Sequence, residues 1–375
     1  MEKYLTQASD NIKESVAEAC SAVMPGGHVG VCCQSKDRDY AQNVVEGIST
    51  FEYKITFIEY PDGAEANDDT SLDIVGADDD IRFFVGVGDC VIASMLALAS
   101  IRRDMKYILV TYSPDINGVG YSIDIDERKG KAIAPMRAFV DAKYLNCTYP
   151  YADVVASVFS HRVTLIEKKY VNYLSRRFDE NLLLEEENIL DAIIGDGVMN
   201  DRKKLFDGIM RYAAADIQKF KSSHFVMTKL LKELSLSSSI GDCRLLSAIT
   251  LLKYFKTVLS VEDFHLTIPI DISSKCRSLS KHLGVDISEI IGGVKDRKYQ
   301  GKWLYIHSEY REDLLGEVLS LEEKSKNIIK SAKRFMPDVG YHLGEDFDSN
   351  YLIELIYNLS PLTDDCSLVT MADIL

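Results

Sequence analysis

The chain has 375 residues, of which 46% are hydrophobic and 27% charged. That balance belongs to a folded globular protein and excludes a disordered one, and the length suits two domains. The formal net charge of −15 excludes a general binder of nucleic acid or of anionic membranes, because phosphate contacts need clustered Lys and Arg. No apolar stretch approaches the ~18 residues of a membrane span. The opening Met1-Glu2-Lys3-Tyr4 lacks the apolar core of a signal peptide, so a cytoplasmic location is expected.

The chain begins with helical spacing over residues 12–23. His28-Val29-Gly30-Val31-Cys32-Cys33 follows Pro25-Gly26-Gly27 and reads as a buried strand. Helical spacing returns over 37–48. Tyr53-Lys54-Ile55-Thr56-Phe57-Ile58 is β-branched and aromatic, hence a second strand. The Asp-rich stretch 62–80 is aperiodic and reads as a solvated face or loop. Ile81-Arg82-Phe83-Phe84-Val85 is a third strand, Gly86-Val87-Gly88 a turn, 91–101 an Ala- and Leu-rich helix, and Tyr107-Ile108-Leu109-Val110-Thr111 a fourth strand. This alternation argues for a parallel sheet with helices on its faces, whose phosphate-bearing ligands would bind at the carboxyl ends of the strands.

After Pro150 the texture changes. Residues 154–174, 182–194, 203–221, 224–234 and 244–259 are apolar-periodic with few strand signals, and 287–291, 311–334 and 351–359 extend the pattern. The fold class expected is α/β: a nucleotide-binding-like domain with a parallel sheet over 1–149, then an all-helical domain over 150–375. The eight cysteines, Cys20, Cys32, Cys33, Cys90, Cys147, Cys243, Cys276 and Cys366, include no C-x-x-C pair and read as reduced, mostly buried residues. The short basic runs read as solvated helix ends, and the single Trp303 as a packing anchor.

Three stretches carry chemistry. Val85-Gly86-Val87-Gly88-Asp89-Cys90-Val91 runs from strand to helix. Such a turn can hold a pyrophosphate on free backbone N–H groups at the positive end of the helix dipole. Asp89 would set a negative charge there, repelling a phosphate by on the order of 4 kcal/mol at 4 Å and an effective dielectric of 20. It would equally serve as a helix N-cap. Thr111-Tyr112-Ser113-Pro114-Asp115-Ile116-Asn117-Gly118 follows the next strand and is also good turn chemistry. Finally, in the helical part, Pro150-Tyr151-Ala152-Asp153 and Ser222-Ser223-His224 carry an acid and a histidine, and taken alone His224 reads as a hydrogen-bonded structural residue.

The segment order and these motifs resemble the dehydroquinate synthase-like superfamily, which includes the iron-containing alcohol dehydrogenases and the glycerol and glycerol phosphate dehydrogenases. The resemblance runs from about His28 to about Phe255. It implies that NAD(P) would lie along Gly86, Gly88 and Asp89, with Thr111 and Gly118 touching cofactor and substrate. It also implies a zinc or iron ion on Asp153, His224 and a third ligand, polarising a substrate hydroxyl. This sequence departs from the family pattern at several points. Asp89 and Cys90 replace small residues of the glycine-rich turn, and the last metal-ligand histidine is replaced by Ile240, an aliphatic side chain with no electron pair to give. Asp242, Cys243, His265 and His282 are other possible donors. Two readings follow. One is a descendant whose metal and cofactor motifs are incomplete, serving as a binding or assembly subunit. The other is an NAD(P)-dependent, metal-assisted dehydrogenase of a small polyol or polyol phosphate. The departures favour the first. The partners expected are a small-molecule ligand and a second copy in a homodimer, with no nucleic acid and no membrane.

Overall fold

A computed structural model describes residues 5–64, 66–111, 135–141, 143, 148–195, 204–205, 208–209, 212, 220, 222–234, 240–262, 272–283, 300–335, 349–360, 363 and 367–369. The chain divides into two compact units, Met1–Val154 with Gly197–Ala215, and Val155–Asp196 with Asp216–Leu375.

The first unit holds strands β1 (Leu5–Ser9), β2 (Gly27–Gln34), β3 (Tyr53–Tyr60), β4 (Ile81–Gly88), β5 (Lys106–Thr111) and β6 (Arg137–Asp141). They form one parallel sheet in the order β1-β6-β5-β4-β2-β3. Helices α1 (Ile12–Val23), α2 (Arg38–Val45), α3 (Asp68–Val75) and α4 (Cys90–Arg102) accompany it. β2 is buried at every position after Gly27, as a central strand of a sheet covered on both faces must be. Its side chains alternate. Val29, Val31 and Cys33 pack with Val16 and Cys20 of α1 and Val44 of α2. Cys32 lies on the other face with Ile74 of α3 and Ile92, Met95 and Leu96 of α4.

The structure corrects the sequence reading in three places. The acidic stretch is not all loop, because α3 lies within it. Asn67 caps this helix: its side chain accepts from the Thr70 N–H at 3.0 Å, and the Thr70 hydroxyl accepts from the Asn67 N–H at 3.1 Å, a reciprocal box. Only Ile74 and Ser71 of the helix are deeply buried, so the apolar period is too sparse to read. Gly86-Val87-Gly88 is the end of β4 rather than a turn. The edge strand β1 and its neighbour β6, five residues each, were not anticipated; neither is long enough to declare a period.

In the second unit every regular element among the described residues is helical. They are α5 (Thr148–Ser175, which begins in the first unit), α6 (Glu180–Ile194), α7 (Ser223–Glu233), α8 (Ile240–Ser260), α9 (Ile272–Leu283), α10 (Gln300–Phe335) and α11 (Ser349–Tyr357). The expected helix at 287–291 lies outside the described residues, as does most of 203–221. Among the described residues no helix is long and apolar enough to cross a membrane.

Candidate ligand crevice

The strand order fixes where a ligand would enter the first unit. β2 stands between β3 and β4. The helix after β2, α2, packs on one face of the sheet, and α4, after β4, packs on the other. The carboxyl ends of β2 and β4 therefore lead away to opposite faces, which opens a crevice at a topological switch point.

Gly86 and Gly88 line the β4 side. A Cβ at Gly86 would overlap Leu96 Cδ1 and come within 3.1 Å of Ile92 Cγ2, so this glycine lets α4 lie close on the sheet. Gly88 has φ +148°, and a Cβ there would lie 3.1 Å from Asp37 Oδ2. That backbone conformation is open to glycine and strained for other residues. Asp89 is the N-cap of α4: its Oδ1 accepts from the Val91 N–H at 3.0 Å. Its Oδ2 accepts from Lys36 Nζ at 2.9 Å. Lys36 comes from the 3₁₀ turn Ser35–Asp37, and its own N–H donates to Asp62 Oδ1 at 2.7 Å. Partial burial works against the charged amine, yet the hydrogen bond and charge of Asp89, with Asp37 and Asp62, outweigh it and hold the Lys36 pKa above its ordinary value. One lysine thus stands among three carboxylates.

Two further residues border the crevice. Thr111, buried at the end of β5, pairs in register with Gly88. Gln34 ends β2 and is 1% exposed, and its Oε1 has no hydrogen-bond partner among the described residues. Along the same edge, Asp141 accepts from the Tyr40 hydroxyl at 2.9 Å and from the Lys143 N–H at 3.0 Å. Gly118 lies outside the described residues. Lys36, Asp37 and Gln34 were not singled out from sequence; the available signal was their place after a buried strand at a switch point.

The candidate metal ligands belong to other surroundings. The side chains of Asp153 and Ile240 lie outside the described residues, although both positions are helical. His224, near the start of α7, is buried, and its Nε2 donates to the Arg244 carbonyl of α8 at 3.0 Å. Burial lowers its pKa to about 4, so the ring is neutral. Asp242 and Cys243, in the first turn of α8, are also buried. Among the described residues, no group of three His, Cys, Asp or Glu side chains able to hold a metal includes His224.

No protein-family model matches the chain, and no curated protein matches it in sequence. Its likeness is to solved structures. A glycerol dehydrogenase from Schizosaccharomyces pombe superimposes with a TM-score of 0.50 at 11% identity, over 88% of this chain and 91% of that one. A protein assigned as an alcohol dehydrogenase, from Ralstonia eutropha JMP134, gives 0.51 at 10% identity, over 86% and 96%. The chain therefore has the two-part fold of this group of dehydrogenases: a parallel-sheet unit followed by a mainly helical one. The resemblance to the iron-containing alcohol dehydrogenase superfamily, with its glycerol dehydrogenase branch, holds at the level of fold. Identity this low carries nothing about chemistry.

Proposed function

We propose that this chain is a divergent, non-catalytic descendant of the dehydrogenase fold, acting as a cytoplasmic binding or assembly subunit, as a homodimer, with a small-molecule ligand. The observation that carries the reading is Asp89. Its carboxylate occupies the N-terminus of α4, satisfies the Val91 N–H, and is locked to Lys36. A dinucleotide's diphosphate would need those same donors and would meet the charges of Asp89, Asp37 and Asp62. The described residues therefore do not fit NAD(P).

The candidate metal ligands support the same reading. His224 spends its Nε2 proton on a main-chain carbonyl, which leaves Nδ1 as its one possible donor. Ile240 offers none, and two ligands hold zinc or iron more weakly than the usual three. Cys20, Cys32, Cys33, Cys243 and Cys276 form no disulfide, in keeping with a cytoplasmic chain.

Titration of the purified chain with NADH and NADPH, together with turnover assays on glycerol and polyol phosphates, tests the proposal. No binding at millimolar nucleotide and no turnover is the expected outcome. Tight nucleotide binding or robust oxidation of any polyol would overturn it in favour of an NAD(P)-dependent, metal-assisted dehydrogenase.

A further inference from the structure

The opposite edge of the same sheet gathers ligands of a different kind. His28 lies at the amino end of β2, and Asp78 and Asp80 lie in the turn that leads into β4. Their ligand atoms all fall within 4.8 Å of one another, and among the described residues this is the one such group of three. We propose that His28, Asp78 and Asp80 form a zinc-class divalent metal site at the amino edge of the sheet, tying the turn before β4 to β2. The proposal stands independently of the functional reading above, because it shares no residue with the crevice.

His28 is 5% exposed, so its ring is set by the fold. Its Nδ1 faces Asp80 Oδ2 at 2.8 Å, and its Nε2 faces Thr56 Oγ1 at 2.7 Å. Metal-binding histidines generally have their second ring nitrogen held in this way, which fixes tautomer and orientation. A hydroxyl suits both states of the site because it can donate or accept. Without an ion, Nδ1–H donates to Asp80 and the Thr56 hydroxyl donates to Nε2. With an ion, the proton resides on Nε2 and is donated to Thr56 Oγ1, and the Nδ1 lone pair turns to the metal.

The carboxylates are equally prepared. Asp80 already has one carboxylate oxygen, Oδ2, 2.8 Å from His28 Nδ1. Asp78 is exposed and its main chain is anchored: its carbonyl accepts from the Ile81 N–H at 2.9 Å and from Arg103 Nη2 at 3.0 Å. Two ligands of one zinc lie at most about 4.2 Å apart, close to the 4.8 Å that bounds this group. One neutral imidazole and two carboxylates neutralise a divalent ion and leave a position open to water. Two cations oppose the ion: Lys54, whose Nζ lies 3.9 Å from Asp80 Oδ2, and Arg103, whose guanidinium donates to the Asp78 carbonyl.

The test is chelator-competed zinc binding to the full chain, with cobalt absorption as a second readout. One equivalent of zinc and a visible cobalt band are expected for the wild type. The double variant Asp78→Asn with Asp80→Asn, checked for unchanged circular dichroism, should lose affinity by about a hundredfold. Lys54→Gln should tighten binding by a few-fold by removing one opposing charge. Zinc should raise the melting temperature of the wild type and leave that of the double variant unmoved. Absence of zinc from the wild type, or an affinity unchanged in the double variant, would overturn the proposal. Neither result would bear on NAD(P) binding.

Discussion

The two units of this chain bury different things. The sheet unit has an apolar interior, with Val29, Val31, Val85, Val87, Ile108 and Val110 on one face and Cys32, Phe84, Ile92 and Leu96 on the other. Among the described residues its buried carboxylates, Asp37 and Asp141, lie just after the end of β2 and at the end of β6. The helical unit carries charge into its interior: Lys168 and Glu186 pair at 3.0 and 2.9 Å with side chains 4% and 3% exposed. Beside them, buried Arg162 of α5 reaches Glu187 and Asp191 of α6 and Glu317 of α10. The difference follows from where each kind of element gets its alignment. Ladder hydrogen bonds set strand register, whereas packed helices can slide and rotate, and matched buried ion pairs penalise the wrong settings. A buried pair adds little net stability, but breaking it is expensive.

That contrast has a large measurable consequence. Glu186→Leu strands the Lys168 ammonium without a partner, and urea denaturation should show a loss of about 3–5 kcal/mol. Replacing both, as Lys168→Met with Glu186→Leu, should recover most of it. A single variant as stable as the wild type would mean that Lys168 reaches water, and the contrast between the units would fail.

A second test uses pH. In the folded helical unit His224 has a pKa lowered to about 4 by burial, against 6.5 in the unfolded chain. Below pH 6.5 the unfolded chain takes up a proton that the folded chain refuses. Stability is therefore full above pH 6.5 and falls as the pH drops toward 4, by about 3 kcal/mol at most. His224→Gln keeps a donor for the Arg244 carbonyl and should show a shallower acid slope in urea midpoints measured at pH 7 and pH 4.5. An unchanged slope would show that the ring is solvated.

The sheet unit should respond to volume rather than to charge. Gly86→Ala drives a methyl group into Leu96 and should cost about 1–3 kcal/mol through overpacking, seen as a lower melting temperature with no new pH dependence.

How far each region could be read in advance follows the same division. β2, β3, β4 and β5 announced themselves because strands covered on both faces must be apolar runs, and α4 because Ala and Leu fill it. α3 did not, since a helix of Asp and Thr with one well-buried isoleucine has no period. Asp89 was legible as a helix N-cap, whereas Gly86 and Gly88 read as a turn and proved to be the end of β4. The partner of Asp89, Lys36, stands 53 residues away in a turn with no motif. His28 was legible only as part of a strand, and Asp80, 52 residues distant, only as part of an acidic face. What a side chain meets across the sheet is set by strand order, and local sequence does not carry that.

Asp89 offers the smallest stability effect and the sharpest functional one. Glycine tolerates the N-cap position, so Asp89→Gly should cost only a few tenths of a kcal/mol. The same change removes one of the three carboxylates of the crevice and frees Lys36 from its 2.9 Å ion pair. Both changes favour an incoming phosphate. NADH titration of this variant, beside the wild type, should then show tighter binding than the wild type, and the gain should fade with added salt as screening shortens the reach of Lys36. If the variant binds no better, the obstacle lies in the shape of the crevice rather than in its charge. Gln34, buried with an Oε1 that has no partner among the described residues, would then be the next residue to change, because its uncharged amide ends β2 beside the crevice.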